Sequence, residues 1–285
     1  MKKILTFFVI ALLINACQNE PITRSEGTPP IPPEIVQLGD PASPQKALVI
    51  GNNNYDAKNS GLENPINDAV DMANLLANEM GFHVIRATNL DYREMSNTLH
   101  DFRQLLADTQ VPVGEKVGLF YFSGHGARSS KDNNYLIPID NGRIKTERDL
   151  RRKAFQVKQE ILVEMEAVNH GVNLIVADAC RDNPYKDRDK SLTRGLKRMP
   201  PPSPTETKLG ALIAFAADEG EVADDGGRRN GLYTKHLMVQ MRQLKHEPVE
   251  EVFKKVHDPV SEESDGMQNP WYDTSLAETY CFGGC

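Results

Sequence analysis

The sequence predicts an α/β fold built on a mostly parallel sheet, and three observations carry that expectation. Short apolar runs recur at residues 46–51, 82–87, 117–122, 173–177 and 209–217, each bounded by turn residues in the manner of buried strands. Longer segments with apolar residues at helical spacing lie between most of them. Strands that alternate with helices make βαβ units, whose right-handed crossovers leave the strands parallel.

In chain order, Lys46-Ala47-Leu48-Val49-Ile50-Gly51 reads as a strand that ends in a Gly/Asn cluster and so enters a loop at the sheet edge. From Asn64 onward, Ala69, Met72, Ala73, Leu75, Leu76 and Met80 recur on one helical face, and Gly81 closes the helix. The next strand is 82–87. Asp91 is placed to cap a second helix with the face Met95, Leu99, Phe102, Leu105 and Leu106. The runs 117–122 and 173–177 follow, separated by a long insertion and a helix of about a dozen residues over 155–168. After the strand 209–217 come helical patterns at 231–245 and 248–257. Residues 183–208 hold five prolines and seven Lys/Arg side chains, the composition of an exposed loop dividing a larger part (46–182) from a smaller one (209–285).

The chain has 285 residues and sets 33 Lys plus Arg against 40 Asp plus Glu, a net charge of −7. That balance argues against nucleic-acid binding, which draws its affinity from Lys/Arg contacts to phosphates. At 39% hydrophobic and 26% charged residues the composition is that of an ordinary folded domain. The four cysteines, at 17, 180, 281 and 285, are too few for a disulfide scaffold and too scattered for a four-ligand zinc site, so no metal site is expected. Cys281 and Cys285 bracket Phe282-Gly283-Gly284 and are either a small disulfide or two unpaired thiols on a frayed tail.

Lys2 and Lys3 precede eleven residues, 4–14, that are apolar except for Thr6. This is too short for a membrane-spanning helix and reads as a secretory signal over 1–16. The ending Ile14-Asn15-Ala16-Cys17 resembles a bacterial lipobox, although Asn15 is unusual at its position. The resemblance implies lipidation at Cys17, and Gln18 after it favours the outer membrane. Residues 18–45 carry seven prolines and almost no apolar periodicity, an extended tether that holds the domain off a surface. The expected protein is therefore exported to a bacterial cell envelope, lipid-anchored, with a folded domain over 46–285.

Ligands of open α/β sheets bind beyond the carboxyl ends of the strands. There, Ser123-Gly124-His125-Gly126 follows one apolar run and Asp178-Ala179-Cys180-Arg181 follows another. A thiol beside an imidazole is the pairing that nucleophilic catalysis on a peptide bond requires, the imidazole serving to protonate the leaving amine. The glycines around His125 leave room for a substrate, and the Gly126 and Cys180 N–H groups are candidates for an oxyanion hole. Taken singly, either residue has a plain alternative, a buried small thiol or one satisfied histidine among seven.

Caspases carry Gln-Ala-Cys-[Arg/Gln/Gly]-Gly with a histidine about 50 residues upstream. Here Asp178-Ala179-Cys180-Arg181-Asp182 is preceded by His125, 55 residues earlier. The chain resembles the caspase-like cysteine peptidases, in particular the bacterial paracaspase- and metacaspase-like branch. The resemblance covers 46–282 through Ala47-Leu48-Val49-Ile50-Gly51-Asn52, Asn64-Pro65-Ile66-Asn67-Asp68-Ala69, Phe120-Tyr121-Phe122-Ser123-Gly124-His125-Gly126, Asn134-Tyr135-Leu136-Ile137-Pro138-Ile139-Asp140, Arg229-Asn230-Gly231-Leu232-Tyr233-Thr234 and Asn269-Pro270-Trp271.

It implies a three-layer sandwich with roughly six strands and a Cys/His endopeptidase that takes protein or peptide substrates. Asp178 stands where true caspases have Gln, and in the resembled branch the specificity pocket is acidic and accepts Arg or Lys. The resemblance implies Asp68, Asp178 and Asp225 as its acids. It implies no cofactor and leaves calcium dependence open. A catalytically silent scaffold or sensor tethered to the membrane is the competing reading, since one fold hosts many functions. Self-cleavage, if it occurs, is expected in the basic loop, with Lys186, Arg188, Lys190, Arg194, Lys197 and Arg198 as candidates. Against that, Arg194-Gly195-Leu196 is alternatively docked on the domain.

Overall fold

The computed structural model describes residues 33–57, 61–180, 196–202, 208–217 and 229–285. Two strands open it, β1 (Glu34–Leu38) and β2 (Gln45–Gly51), followed by α1 (Pro65–Glu79) and β3 (His83–Thr88). Helix α2 (Tyr92–Asp108) begins at a capping box: the Asp91 carboxylate accepts from the Glu94 N–H at 2.8 Å and the Glu94 carboxylate from the Asp91 N–H at 3.0 Å. Such a cap contributes about 1 kcal/mol and fixes where the helix starts.

Strand β4 (Val117–Arg128) and the short β5 (Asn134–Leu136) form a hairpin, followed by α3 (Glu147–Lys153) and the two-residue β6 (Phe155–Gln156). The helix expected over 155–168 is thus a strand, then a π-helical turn over Val157–Leu162, then α4 (Val163–Val168). The apolar residues Val157, Ile161, Leu162 and Met165 still reach the core through that wider turn. The chain continues through β7 (Val172–Cys180), β8 (Ala211–Phe215), α5 (Leu232–Gln243), α6 (Val249–Glu263) and β9 (Trp271–Thr274). Helix α6 runs past the expected end at 257 and through Pro259, because Val260 continues the buried face of Val249, Val252, Phe253 and Val256.

The sheet order is β1-β3-β2-β4-β7-β8-β9, with β5 and β6 attached beside β4. Strands β3, β2, β4, β7 and β8 are mutually parallel, and β1 and β9 close the edges antiparallel. The mostly parallel sheet flanked by helices is the expected one, widened by its edge strands. Strand β1 falls inside the stretch read as tether, so the folded part begins ahead of Lys46. An edge strand has one protected side only, and Ile35 is half exposed, so Glu-Ile-Val-Gln-Leu carries no apolar alternation to reveal it.

Alternation along the strands sorts the core into two layers. Ala47, Val49, Leu119, Tyr121, Leu174, Val176, Leu212 and Ala214 face the apolar sides of α1, α5 and α6. Leu48, Ile50, Phe120, Phe122, Ile175, Ala177, Ile213 and Phe215 face α2 and the 157–165 segment. Each buried Leu, Ile or Phe contributes about 1.5–3 kcal/mol of apolar transfer. At the carboxyl end of the chain Cys281 and Cys285 are disulfide-bonded, with Cα atoms 5.1 Å apart, and Phe282 is buried against Phe82.

Candidate active site

The parallel register of β4 and β7 sets Ser123 opposite Asp178 and His125 opposite Cys180. Leu119 and Tyr121 point to the α1/α5/α6 layer, so Ser123 and His125 stand at positions of the same parity. Leu174 and Val176 give Asp178 and position 180 that parity on β7. The sequence expectation of a histidine and a cysteine at one sheet edge thus becomes two positions facing each other across adjacent strands.

His125 is buried and its main chain is held at both polar atoms. Its N–H donates to the Tyr55 hydroxyl at 2.7 Å, and its C=O accepts from the Ile137 N–H at 3.0 Å. The Tyr55 ring lies 4.3 Å from the imidazole, centroid to centroid. The flanking glycines do not leave the space expected for a substrate. A Cβ on Gly124 would collide with the Tyr55 hydroxyl, and one on Gly126 would stand 3.0 Å from Ala179 Cβ and 3.1 Å from Leu196 Cδ2. The chain's own side chains occupy both gaps. Gly126 itself lies opposite Leu136 of β5, one residue beyond His125.

Asp68, in the first turn of α1, and Asp178, on β7, are both buried and converge beside Gly231. A Cβ on Gly231 would be 3.2 Å from an oxygen of each carboxylate, so a side chain there would be tight and both carboxylates would have to give slightly. The Ser123 hydroxyl donates to Asp68 at 2.9 Å and the Gly231 N–H at 3.0 Å. Asp178 accepts from the Thr234 hydroxyl at 2.6 Å and from its N–H at 3.3 Å, and the Tyr121 hydroxyl bonds the same Thr234 oxygen. Burial first, and the neighbouring Asp178 charge second, push the Asp68 carboxyl up to about 8, against the hydrogen bonds that favour its ionised form. Two buried carboxyls side by side are unfavourable as dianions, which the N–H groups at the start of α5 and the Ser123 and Thr234 hydroxyls offset in part.

A neighbouring acid has a different task. Asp71 takes a bidentate pair of hydrogen bonds from Arg229, both 2.8 Å, and one from Asn230 at 3.0 Å. The Arg229 guanidinium holds its carboxyl below the usual range, and the pair ties the segment entering α5 to α1. This anchor brings Gly231 and Thr234 to the two aspartates.

Of the expected site residues, Asp225, Lys186, Arg188, Lys190, Arg194 and Cys17 lie outside the described residues, as does the side chain of Cys180. Lys197 and Arg198 lie within them, in a segment docked on the domain. Leu196 is buried, and Asn134 holds the Lys197 main chain at both atoms, accepting from its N–H and donating to its C=O at 2.7 Å each. The Lys197 ammonium reaches Asp132 at 2.8 Å, and Arg198 lies over the Trp271 ring at 5.8 Å. From Leu196 this end of the 183–208 segment is therefore docked, in line with the alternative reading, rather than the free loop its prolines and charges suggest. Ser123, Thr234, Tyr121 and Tyr55 were not assigned from sequence. Ser123 offered a signal, lying two residues before His125 on one strand face, whereas the others join the site only through tertiary packing. Among the described residues no cluster of three or more His, Cys, Asp or Glu side chains is arranged to hold a metal ion, and no helix is long and apolar enough to cross a membrane.

A sequence model of the family described as caspase domain matches residues 44–280. Among solved structures, the crystal structure of caspase-1 from Spodoptera frugiperda superposes with a TM-score of 0.56 at 15% identity, covering 85% of this chain and 92% of that one. The crystal structure of a Geobacter sulfurreducens protein gives a TM-score of 0.55 at 17% identity, covering 81% and 93%. At such identities the likeness is one of fold. No curated protein sequence matches the chain.

Proposed function

The chain belongs to the caspase-domain family of cysteine peptidases, and from that premise we propose that it is an endopeptidase cutting after Arg or Lys, with Cys180 as nucleophile and His125 as general acid/base. The observation that carries this reading is the register that pairs positions 125 and 180 on adjacent parallel strands beside the buried Asp68 and Asp178 carboxyls.

In the acylation step the Cys180 sulfur bonds to the scissile carbonyl carbon and the thiol proton passes to His125. The proton then goes to the departing amine as the C–N bond breaks, leaving a thioester. Water attacks the thioester, gives a proton to His125, and the free acid and thiol are regenerated. The Gly126 and Cys180 N–H groups are the proposed donors to the oxyanion. A guanidinium entering between Asp68 and Asp178 would meet two buried carboxyls able to accept its N–H groups, with Asp225 as the proposed third acid. Profiling the protein on a library of unblocked peptides tests this. Cleavage after Arg and Lys, absent from a Cys180→Ala blank, is the expected result, and cleavage after other residues at equal rate overturns the pocket assignment.

Self-processing belongs to the same proposal, and the Asn134 clamp narrows where it is expected. Cutting after Lys197 requires pulling its C=O off Asn134, and cutting after Arg198 requires lifting its guanidinium from the Trp271 ring, so the expected termini follow Lys186, Arg188, Lys190 or Arg194. Mass spectrometry of wild-type and Cys180→Ala protein after incubation reads them. A principal cut after Lys197, or the same fragments in both proteins, contradicts this account. Export and lipidation at Cys17 remain proposals that rest on the sequence of residues 1–18.

A further inference from the structure

We infer that Tyr55 is a positioning residue for His125, a role that rests on the peptidase reading. Tyr55 belongs to the loop that follows β2, at the carboxyl edge of the sheet, and residues 52–57 of that loop are held by hydrogen bonds. The Asn52 N–H donates to the Ser123 C=O at 2.9 Å, and the Asn53 and Asn54 N–H groups donate to the Asn89 side chain at 3.0 and 3.1 Å. Beyond Tyr55, the Asp56 N–H donates to the Ile139 C=O and the Ala57 N–H to the Asn141 side chain, both at 2.9 Å. A phenol carried by so constrained a segment arrives in one place.

What it does there follows from its two ends. The hydroxyl accepts the His125 N–H at 2.7 Å and donates its own proton to the Ile137 C=O at 3.2 Å. Ile137 in turn donates its N–H to the His125 C=O. The phenol therefore closes a ring of hydrogen bonds that fixes the main chain of His125, within β4, against Ile137, the residue following β5. A hydroxyl whose proton is directed at a main-chain carbonyl is not placed to deliver it to a leaving group, so Tyr55 acts through His125. The ring face, tilted by 48° to the imidazole, adds a second effect. An aromatic face beside an imidazole favours the cationic form, the form His125 takes after accepting the thiol proton. Gly124 is explained by the same contact, since any side chain there would drive the phenol away.

The two effects separate by substitution. Tyr55→Phe keeps the ring and removes the acceptor, leaving a buried N–H without this partner. We expect kcat to fall about ten-fold with KM changed less than about three-fold. Tyr55→Leu removes both, and the added readout is the pH dependence of Cys180 alkylation by iodoacetamide, which needs no peptide substrate and reports the thiolate–imidazolium pair. In Tyr55→Leu this profile should move to higher pH, with alkylation near pH 6 slowed about ten-fold, while Tyr55→Phe stays close to wild type. Wild-type kcat in Tyr55→Phe, or an unshifted alkylation profile in Tyr55→Leu, overturns the assignment. If wild-type Cys180 itself alkylates with the pH dependence of an ordinary free thiol, the peptidase reading fails instead, and the two failures are thereby told apart.

Discussion

Alanine at Cys180 is expected to abolish peptide cleavage, and alanine at His125 to lower turnover by about two to four orders of magnitude, the scale of a lost general acid/base. Among the described residues, the other cysteines and histidines have different positions. Cys281 and Cys285 are tied to each other at the end of the chain. His83 starts β3, at the opposite end of the sheet, where Lys46 is its register partner. His236 and His257 lie against Glu263 and Asp258, and His246 against the Gly284 C=O. Among the described histidines only His125 combines a place at the carboxyl edge with a register partner at position 180. Steady-state kinetics on a basic fluorogenic peptide decide the matter, and near-normal kcat in His125→Ala removes His125 from the mechanism. Affinity for a reversible basic inhibitor should survive that substitution, because Ser123, Gly231 and Thr234 donate to Asp68 and Asp178.

How much of this was legible in the sequence depends on the range of the interaction that fixes each part. The central strands and α1, α2, α5 and α6 were, because each buries an apolar face whose period is written locally, and the Asp91 cap is local as well. The His125 and Cys180 positions were legible for a related reason: the residues after a buried parallel strand meet at one edge whatever the loops do. Their register was not, since pairing is set by contacts between strands far apart in the chain. β1 escaped because an edge strand needs little apolar surface, and the docking of the end of the basic segment, open as an alternative in the sequence, is decided by partners far along the chain such as Asn134, 63 residues away. The two glycines around His125 were read as space for a ligand when they are space for Tyr55, Ala179 and Leu196. Sequence shows that a side chain is missing; only packing shows what fills the gap.

The same limit applies to the aspartates, where environment rather than identity sets the expected chemistry. Asp178→Asn should selectively weaken cleavage after Arg by about 2–5 kcal/mol, because a guanidinium taken out of water would lose one of its charged partners. The substitution keeps an oxygen that can accept from Thr234, so the fold around α5 is expected to hold. Stability should in fact not suffer. A carboxyl whose folded pKa is raised, as that of Asp68 is to about 8, binds its proton more tightly in the folded state. It therefore costs stability progressively as pH rises from its ordinary value through about 8, and removing the Asp178 charge that contributes to the shift relieves part of that cost. The same sign governs substrate. A guanidinium favours the ionised form of Asp68, so binding displaces a proton, and affinity for Arg peptides should rise with pH up to about 8 and level off above it. In Asp178→Asn the weakened repulsion should move that rise to lower pH. Measuring kcat/KM for Arg and for its neutral analogue citrulline from about pH 5 to about pH 9, beside thermal melts, reads both effects. Equal loss on the two substrates, or a fall in melting temperature that matches the fall in activity, would assign Asp178 to the fold or the nucleophile rather than to the recognition of a cation.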